Sequence, residues 1–121
     1  SRSGPEPKFV LSEQSFVSRM NDIIRNNIND DSFTVEDLAA TLNLSRVQLY
    51  RKVKAILGVT ISDHISNIRL DRAAEILKND DMNINEIAEN LGFSSANYFS
   101  TAFKNKFGNS PTDYRNNYKN T

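Results

Sequence analysis

The chain has 121 residues, with 15 Lys and Arg against 15 Asp and Glu, one His, no Cys and no Trp. That length supports one domain or two very small units on a shared framework. The missing cysteines exclude a disulfide framework, a thiolate metal site and a cysteine nucleophile together. With 38% hydrophobic residues, a mean hydropathy of −0.55 and only short apolar runs, the chain reads as a polar globule with no membrane span and no secretory leader. An intracellular setting is expected.

Ser1 to Ser12 contains Gly4, Pro5 and Pro7 without periodicity and reads as a linker, or as the remnant of an excised fragment, since no initiator Met precedes it. From Glu13, Phe16, Val17, Met20, Ile23, Ile24 and Ile28 recur at three- and four-residue steps, the signature of an amphipathic helix that Asn29-Asp30-Asp31-Ser32 breaks. Thr34 and Asp37 form a variant capping box ahead of a helix with Val35, Leu38, Ala39 and Leu42 on one stripe. Ser45 and Gln48 form a second capping box, and the helix that follows buries Leu49, Val53, Ile56 and Leu57 before Gly58 ends it. Thr60 opens a longer helix to about Lys78. Asn83 caps one with Ile84, Ile87, Ala88 and Leu91, and Ser95 caps one with Phe99, Ala102, Phe103 and Phe107, closed by Gly108. Ser110-Pro111-Thr112-Asp113 places a cap, a proline at the first helical position and an acid behind it. The few glycines and prolines agree with an all-α fold of seven helices and no strand.

An internal repeat organises these helices. Val35, Leu38, Ala39, Leu42 and Leu44 match Ile84, Ile87, Ala88, Leu91 and Phe93 at one constant offset. Beyond the turn, Ser45, Leu49, Val53, Lys54 and Gly58 match Ser95, Phe99, Phe103, Lys104 and Gly108 at an offset one larger, so the second turn holds an extra residue. Each copy is a helix, a short turn and a capped helix, with Ala39 or Ala88 where the pair must cross closely, as a helix-turn-helix requires. The expected plan is a duplicated, homeodomain-like domain over 13–121. Its units are 34–58 and 83–108, joined by a connecting helix over 60–79 and followed by a C-terminal helix over 110–119.

The second helix of each copy, 45–57 and 95–107, is the one a helix-turn-helix offers to the DNA major groove. With Leu49 and Val53 inward, Val47, Tyr50, Arg51 and Lys54 form the outward stripe, beside Arg46. With Phe99, Phe103 and Phe107 inward, Asn97, Ser100, Thr101 and Lys104 face out, with Ala96 at the leading edge. Zero net charge conceals local polarity, because Ser45 to Gly58 and Ser94 to Gly108 carry bases and no acid. Acids gather instead at Asp30-Asp31, Asp80-Asp81 and the first turns of helices. Such a dipolar chain can hold a polyanion on one side.

The sequence resembles the AraC/XylS family of bacterial transcription regulators from about Asp31 to Tyr118. The resemblance rests on Phe33-Thr34-Val35-Glu36-Asp37-Leu38-Ala39, Gln48-Leu49-Tyr50-Arg51-Lys52-Val53-Lys54, Leu91-Gly92-Phe93, Asn97-Tyr98-Phe99 and Phe107-Gly108-Asn109-Ser110-Pro111-Thr112-Asp113-Tyr114-Arg115. It implies two helix-turn-helix units whose connecting helix, roughly 27 Å long at ~1.5 Å per residue, spaces them for neighbouring major grooves. It also implies base reading by Val47, Tyr50 and Arg51, then by Ala96, Asn97, Ser100 and Thr101. Lys54 and Lys104, at equivalent repeat positions one turn beyond these, and the neighbouring Arg46 are expected on phosphates. Two positions depart from the family pattern. Val53 stands where Phe is more usual, and Thr101 where a base-reading Arg is frequent, which weakens the case for guanine readout there. The helix from Glu13 resembles the leading segment of this module in response regulators and hybrid two-component sensors. That implies a cytoplasmic output domain, of a soluble regulator or of a membrane-anchored sensor. The partners implied are promoter DNA and RNA polymerase, with a monomeric fragment, a dimeric whole protein, no cofactor, no metal and no small-molecule ligand.

Individual residues also have plainer readings. His64, the lone histidine, reads as a packing or surface residue, since a metal site needs three or four ligands. Tyr98 could stack on a base or sugar, but beside Phe99 it reads as half-buried core with its hydroxyl at the surface. Arg69 and Arg72 alternate with Asp63, Asp71 and Glu75 and read as surface pairs or phosphate contacts. Lys52 and Lys106 read as solvated, or at most as distant phosphate partners. The competing function is a protein-interaction module docking an acidic partner such as a sigma factor. An enzyme is not expected, because the catalytic relatives of this module use cysteine and the paired acids lie in solvated turns.

Overall fold

Side-chain caps define where the helices begin. In the computed structural model, which describes residues 7–120 and side chains from 12 onward, the elements are α1 (Pro7–Asn26), α2 (Val35–Thr41), α3 (Arg46–Leu57), α4 (Ile61–Asn79), α5 (Ile84–Asn90), α6 (Ala96–Phe107) and α7 (Pro111–Lys119). Thr34 Oγ1 accepts from the Asp37 amide at 3.1 Å while the Asp37 carboxylate accepts from the Thr34 amide at 2.9 Å. The Ser45 and Gln48 box closes in the same way. Single caps by Thr60, Asn83, Ser95 and Ser110 start α4, α5, α6 and α7. Each satisfies an amide that would otherwise lack a partner, worth about 1 kcal/mol.

The expected all-α plan of seven helices holds, and the described residues contain no strand. α1 differs at both ends, and it stops at Asn26, short of Ile28. α1 begins at Pro7 and not at Glu13, so half of the segment read as a linker is helical; residues 1–6 lie outside the described residues. A proline at a helix start loses no hydrogen bond, because the first amides have no intrahelical acceptor. Pro7 was therefore compatible with helix, and the absence of apolar periodicity hid it.

The two turns repeat the same backbone logic. Asn43 (φ 59) and Gly92 (φ 79) take the left-handed conformation, and the following amides, Leu44 and Phe93, reach back to the Ala39 and Ala88 carbonyls at 2.9 and 3.0 Å. These bonds use carbonyls that the helix ends leave free. Ala39 and Ala88 are both buried, as the close crossing requires.

Two cores result, one for each unit. The first joins Leu38, Leu42, Leu49 and Val53 to Met20 and Ile24 of α1 and to Ile61 and Ile68 of α4. The second joins Ile87, Leu91, Phe93, Phe99 and Phe103 to Leu70, Ala73, Ala74 and Leu77 of α4. The connecting helix therefore gives its N-terminal half to one core and its C-terminal half to the other. Aromatic rings stack through the second core, with Phe103 4.6 Å from Phe107 and 5.1 Å, edge-on, from Tyr114 of α7. Truncating Phe103 to Ala is expected to cost about 3–5 kcal/mol. Arg115 fastens α7 beneath α4 by donating to the carbonyls of Leu77, Asp80 and Met82 at 3.2, 3.0 and 2.7 Å. The Arg of the terminal motif thus serves the end of the connecting helix.

Candidate nucleic-acid interface

α3 and α6 are each held on one face by fully buried side chains, Leu49 and Val53 in one and Phe99 and Phe103 in the other. The period of the helix then dictates which residues face away. Val47, Tyr50, Arg51 and Lys54 are exposed on α3, and Asn97, Thr101 and Lys104 on α6. Ser100 is half-buried, and Ala96 packs partly against the second core. The second stripe is therefore narrower than the sequence suggested, because the aromatic core draws the first turn of α6 inward.

The exposed large hydrophobic side chains of the described residues are Val47 (56%), Tyr50 (47%), Tyr98 (57%) and Tyr118. Three of these four lie on α3 or α6, where no core demands them. Tyr98 corrects the half-buried reading. Its ring touches Phe93 only at a centroid distance of 6.2 Å, and most of it is open. Adjacency to Phe99 misled, since neighbouring residues on a helix point about 100° apart. An exposed aromatic beside Asn97 and Thr101 adds a stacking or hydroxyl contact to this face.

The cations differ in how free they are. The side chains of Arg51 and Lys104 make no hydrogen bond or ion pair within the described residues. Lys54 Nζ donates to the Gly58 carbonyl at 3.2 Å, capping its own helix. Arg46 is bound to Glu36 of α2 at 2.7 Å. Lys52 and Lys106 are exposed, as expected of solvated lysines, and each also has a neighbour: Lys52 lies over the Phe16 ring at 4.6 Å, and Lys106 pairs with Asp71 of α4 at 3.0 Å. Arg69 and Arg72 form no ion pair with the neighbouring acids. Arg72 lines a groove with Arg25, Asp71 and Glu75, and Arg69 is half-buried.

His64 lies apart from these helices and bonds the Asn21 side chain of α1 at 2.7 Å. Burial, and then the Arg25 and Lys106 charges, hold its pKa below the usual 6.5. No cluster of His, Cys, Asp or Glu among the described residues is placed to hold a metal.

Residues 38–117 match the model of a helix-turn-helix domain family. The chain is 34% identical over 106 residues to "Histidine kinase P4" of Formosa agariphila, covering 88% of this chain and 8% of that protein. The chain thus spans a small fraction of that relative's length. The C-terminal domain of AraT, a response regulator from Geobacillus stearothermophilus, superposes with a TM-score of 0.75 at 39% identity over 84% of each chain. The DNA-binding domain of AdpA, a global transcriptional factor solved in complex with a target DNA, superposes with a TM-score of 0.78 at 25% identity, over 85% of this chain and 92% of that one.

Proposed function

The chain belongs to the AraC/XylS family of helix-turn-helix regulators, and from that premise we propose how its residues read DNA. It is a sequence-specific double-stranded DNA-binding domain of transcription regulation, in a family of regulators and not of enzymes. α3 and α6 enter adjacent major grooves. Val47, Tyr50 and Arg51 read the first half-site, and Ala96, Asn97, Ser100 and Thr101 the second. Lys54, Lys104 and a released Arg46 neutralise phosphates.

One observation carries this reading. The two repeat-related helices present exposed aromatic or aliphatic side chains beside unpaired cations and amides, with no acid on either helix. Arg pairs bidentately with guanine and Asn with adenine, which an aqueous helix surface has no need to provide. The alternative, docking of an acidic protein partner, has no observation in its favour.

The chain spans 8% of the length of the kinase relative. We propose that the chain is the output domain of a two-component regulator, cytoplasmic, monomeric in isolation and dimerised by upstream parts, acting on RNA polymerase at promoters. The chain is taken to be non-catalytic. Among the described residues no helix is long and apolar enough to cross a membrane. A duplex mobility shift challenged with heparin tests the binding. Retention on a selected site supports the reading, and release from every duplex at low salt contradicts it.

A further inference from the structure

DNA reading leaves Arg69 without a role. It sits on α4 between Ile68, which packs in the first core, and Leu70, which packs in the second. Its Nε is buried and has no hydrogen-bond partner, and no carboxylate pairs with the guanidinium among the described residues. An arginine serving solubility would extend its head into water. A buried donor left unpaired calls for an explanation in the surrounding geometry.

That geometry is the turn of the second unit. A Cβ built on Gly92 would lie 3.3 Å from Arg69 Nη2 and 3.3 Å from the carbonyl oxygen of Ile28. Ile28, just beyond α1, packs against both cores. The other two left-handed glycines, Gly58 and Gly108, have nothing within 4 Å of such an atom. Asn43, the first-unit counterpart of Gly92, holds the same conformation with an exposed side chain. The duplicated turn is therefore open in the first unit and seated in the second.

We propose that Arg69 is a positioning residue for two-site DNA recognition. With the Ile28 carbonyl it forms a seat for the Gly92 turn, and so fixes α6 relative to α3. The long guanidinium stem spans the junction of the two cores, and its planar head lies against a turn with no side chain. Because Ile28 belongs to the segment leaving α1, a displacement of α1 reaches the second recognition helix through this seat. The consequence for DNA rests on the two-groove reading, whereas the seat itself does not.

The chain's lack of cysteine allows a direct test. Ala55→Cys and Asn105→Cys, exposed and equivalent in α3 and α6, accept spin labels, and pulsed dipolar spectroscopy reads their separation in the DNA-free chain. Thermal melting confirms that each variant is folded. Arg69→Met should broaden or shift a narrow distance distribution, and Arg69→Lys should restore it in part. On duplexes carrying the selected bipartite site, Arg69→Met should lose about tenfold in affinity at the preferred spacing while changing less than about twofold on the first half-site alone. Gly92→Ala, which leaves Arg69 in place and crowds the seat, is a second variant with the same expected result. An unchanged distance distribution in folded Arg69→Met overturns the proposal, as does an equal loss on every duplex. Absence of any spacing preference in the unsubstituted chain would count against the two-groove reading instead, and the label distance would still decide the seat.

Discussion

The Arg46 guanidinium lies 2.7 Å from the Glu36 carboxylate and joins the first turns of α3 and α2. Both side chains are more than half exposed, so the pair is worth no more than about 1 kcal/mol. A phosphate can therefore displace Glu36, at the price of that pair. Glu36→Gln should free Arg46 and tighten binding to all duplexes a few-fold, whereas Arg46→Ala should lower the log Kd against log salt slope by about one. A salt titration of both variants beside the unsubstituted chain checks this. An unaltered slope in Arg46→Ala would remove Arg46 from the phosphate contacts.

Lys54 and Lys104 occupy equivalent repeat positions but differ in local duty. Replacing either with Ala should weaken all sequences about equally and lower the salt slope by about one. Lys54→Ala should also lower stability slightly, by roughly 0.5 kcal/mol, since it caps the Gly58 carbonyl, whereas Lys104→Ala should not. Filter binding across salt, with thermal melts alongside, separates the two effects. A changed base preference at constant slope would contradict the phosphate assignment.

Among the described residues three glycines share a left-handed backbone, and one of them, Gly92, is crowded. Ala at Gly58 or Gly108 should cost about 1 kcal/mol for the conformation alone. Gly92→Ala adds a contact at 3.3 Å with a backbone oxygen and should cost about 1–2 kcal/mol more. Urea unfolding of the three variants gives the ranking. Equal values would mean that the Gly92 turn yields without resistance.

His64 couples α1 to α4 through Asn21, and its neutral form is favoured in the fold. Its folded pKa is below the unfolded value of 6.5, so the unfolded chain binds the proton more readily. Stability contributed by neutral His64 is complete above 6.5 and declines as the pH falls toward the folded pKa. Melting temperatures from pH 7.5 down to about 5 should fall more for the unsubstituted chain than for His64→Gln. Parallel curves would show that this histidine titrates alike in both states.

Local grammar made most of this fold legible in the sequence. Each cap at Thr34, Ser45, Thr60, Asn83, Ser95 and Ser110 is a short-range pattern, and all six form as read. The repeat offset that pairs Leu44 with Phe93 holds in the structure, where Asn43 and Gly92 before them take the same left-handed turn, and the inward stripe identified the face opposite it. What stayed hidden depends on contacts between distant elements. The Arg46–Glu36 pair, Lys106 on Asp71 and the Arg69 seat each need two helices placed in space, which periodicity along one helix does not encode. The exposure of Tyr98 and the inward lean of Ala96 follow from how far the phenylalanine core pulls α6 toward α4. Their signal in the sequence was the aromatic run itself, whose volume could have been weighed.

Selection from a randomised duplex pool with the unsubstituted chain, Arg51→Ala and Asn97→Ala tests the central claim most directly. The account predicts a bipartite site with halves about one helical turn, ~10 base pairs, apart. The first half should require a G·C pair whose preference, worth about 1–3 kcal/mol, disappears in Arg51→Ala. The second half should lean to A·T, and Asn97→Ala should relax its adenine while leaving the first half intact. A site confined to one groove, or one that neither substitution alters, would contradict the two-helix reading of this surface.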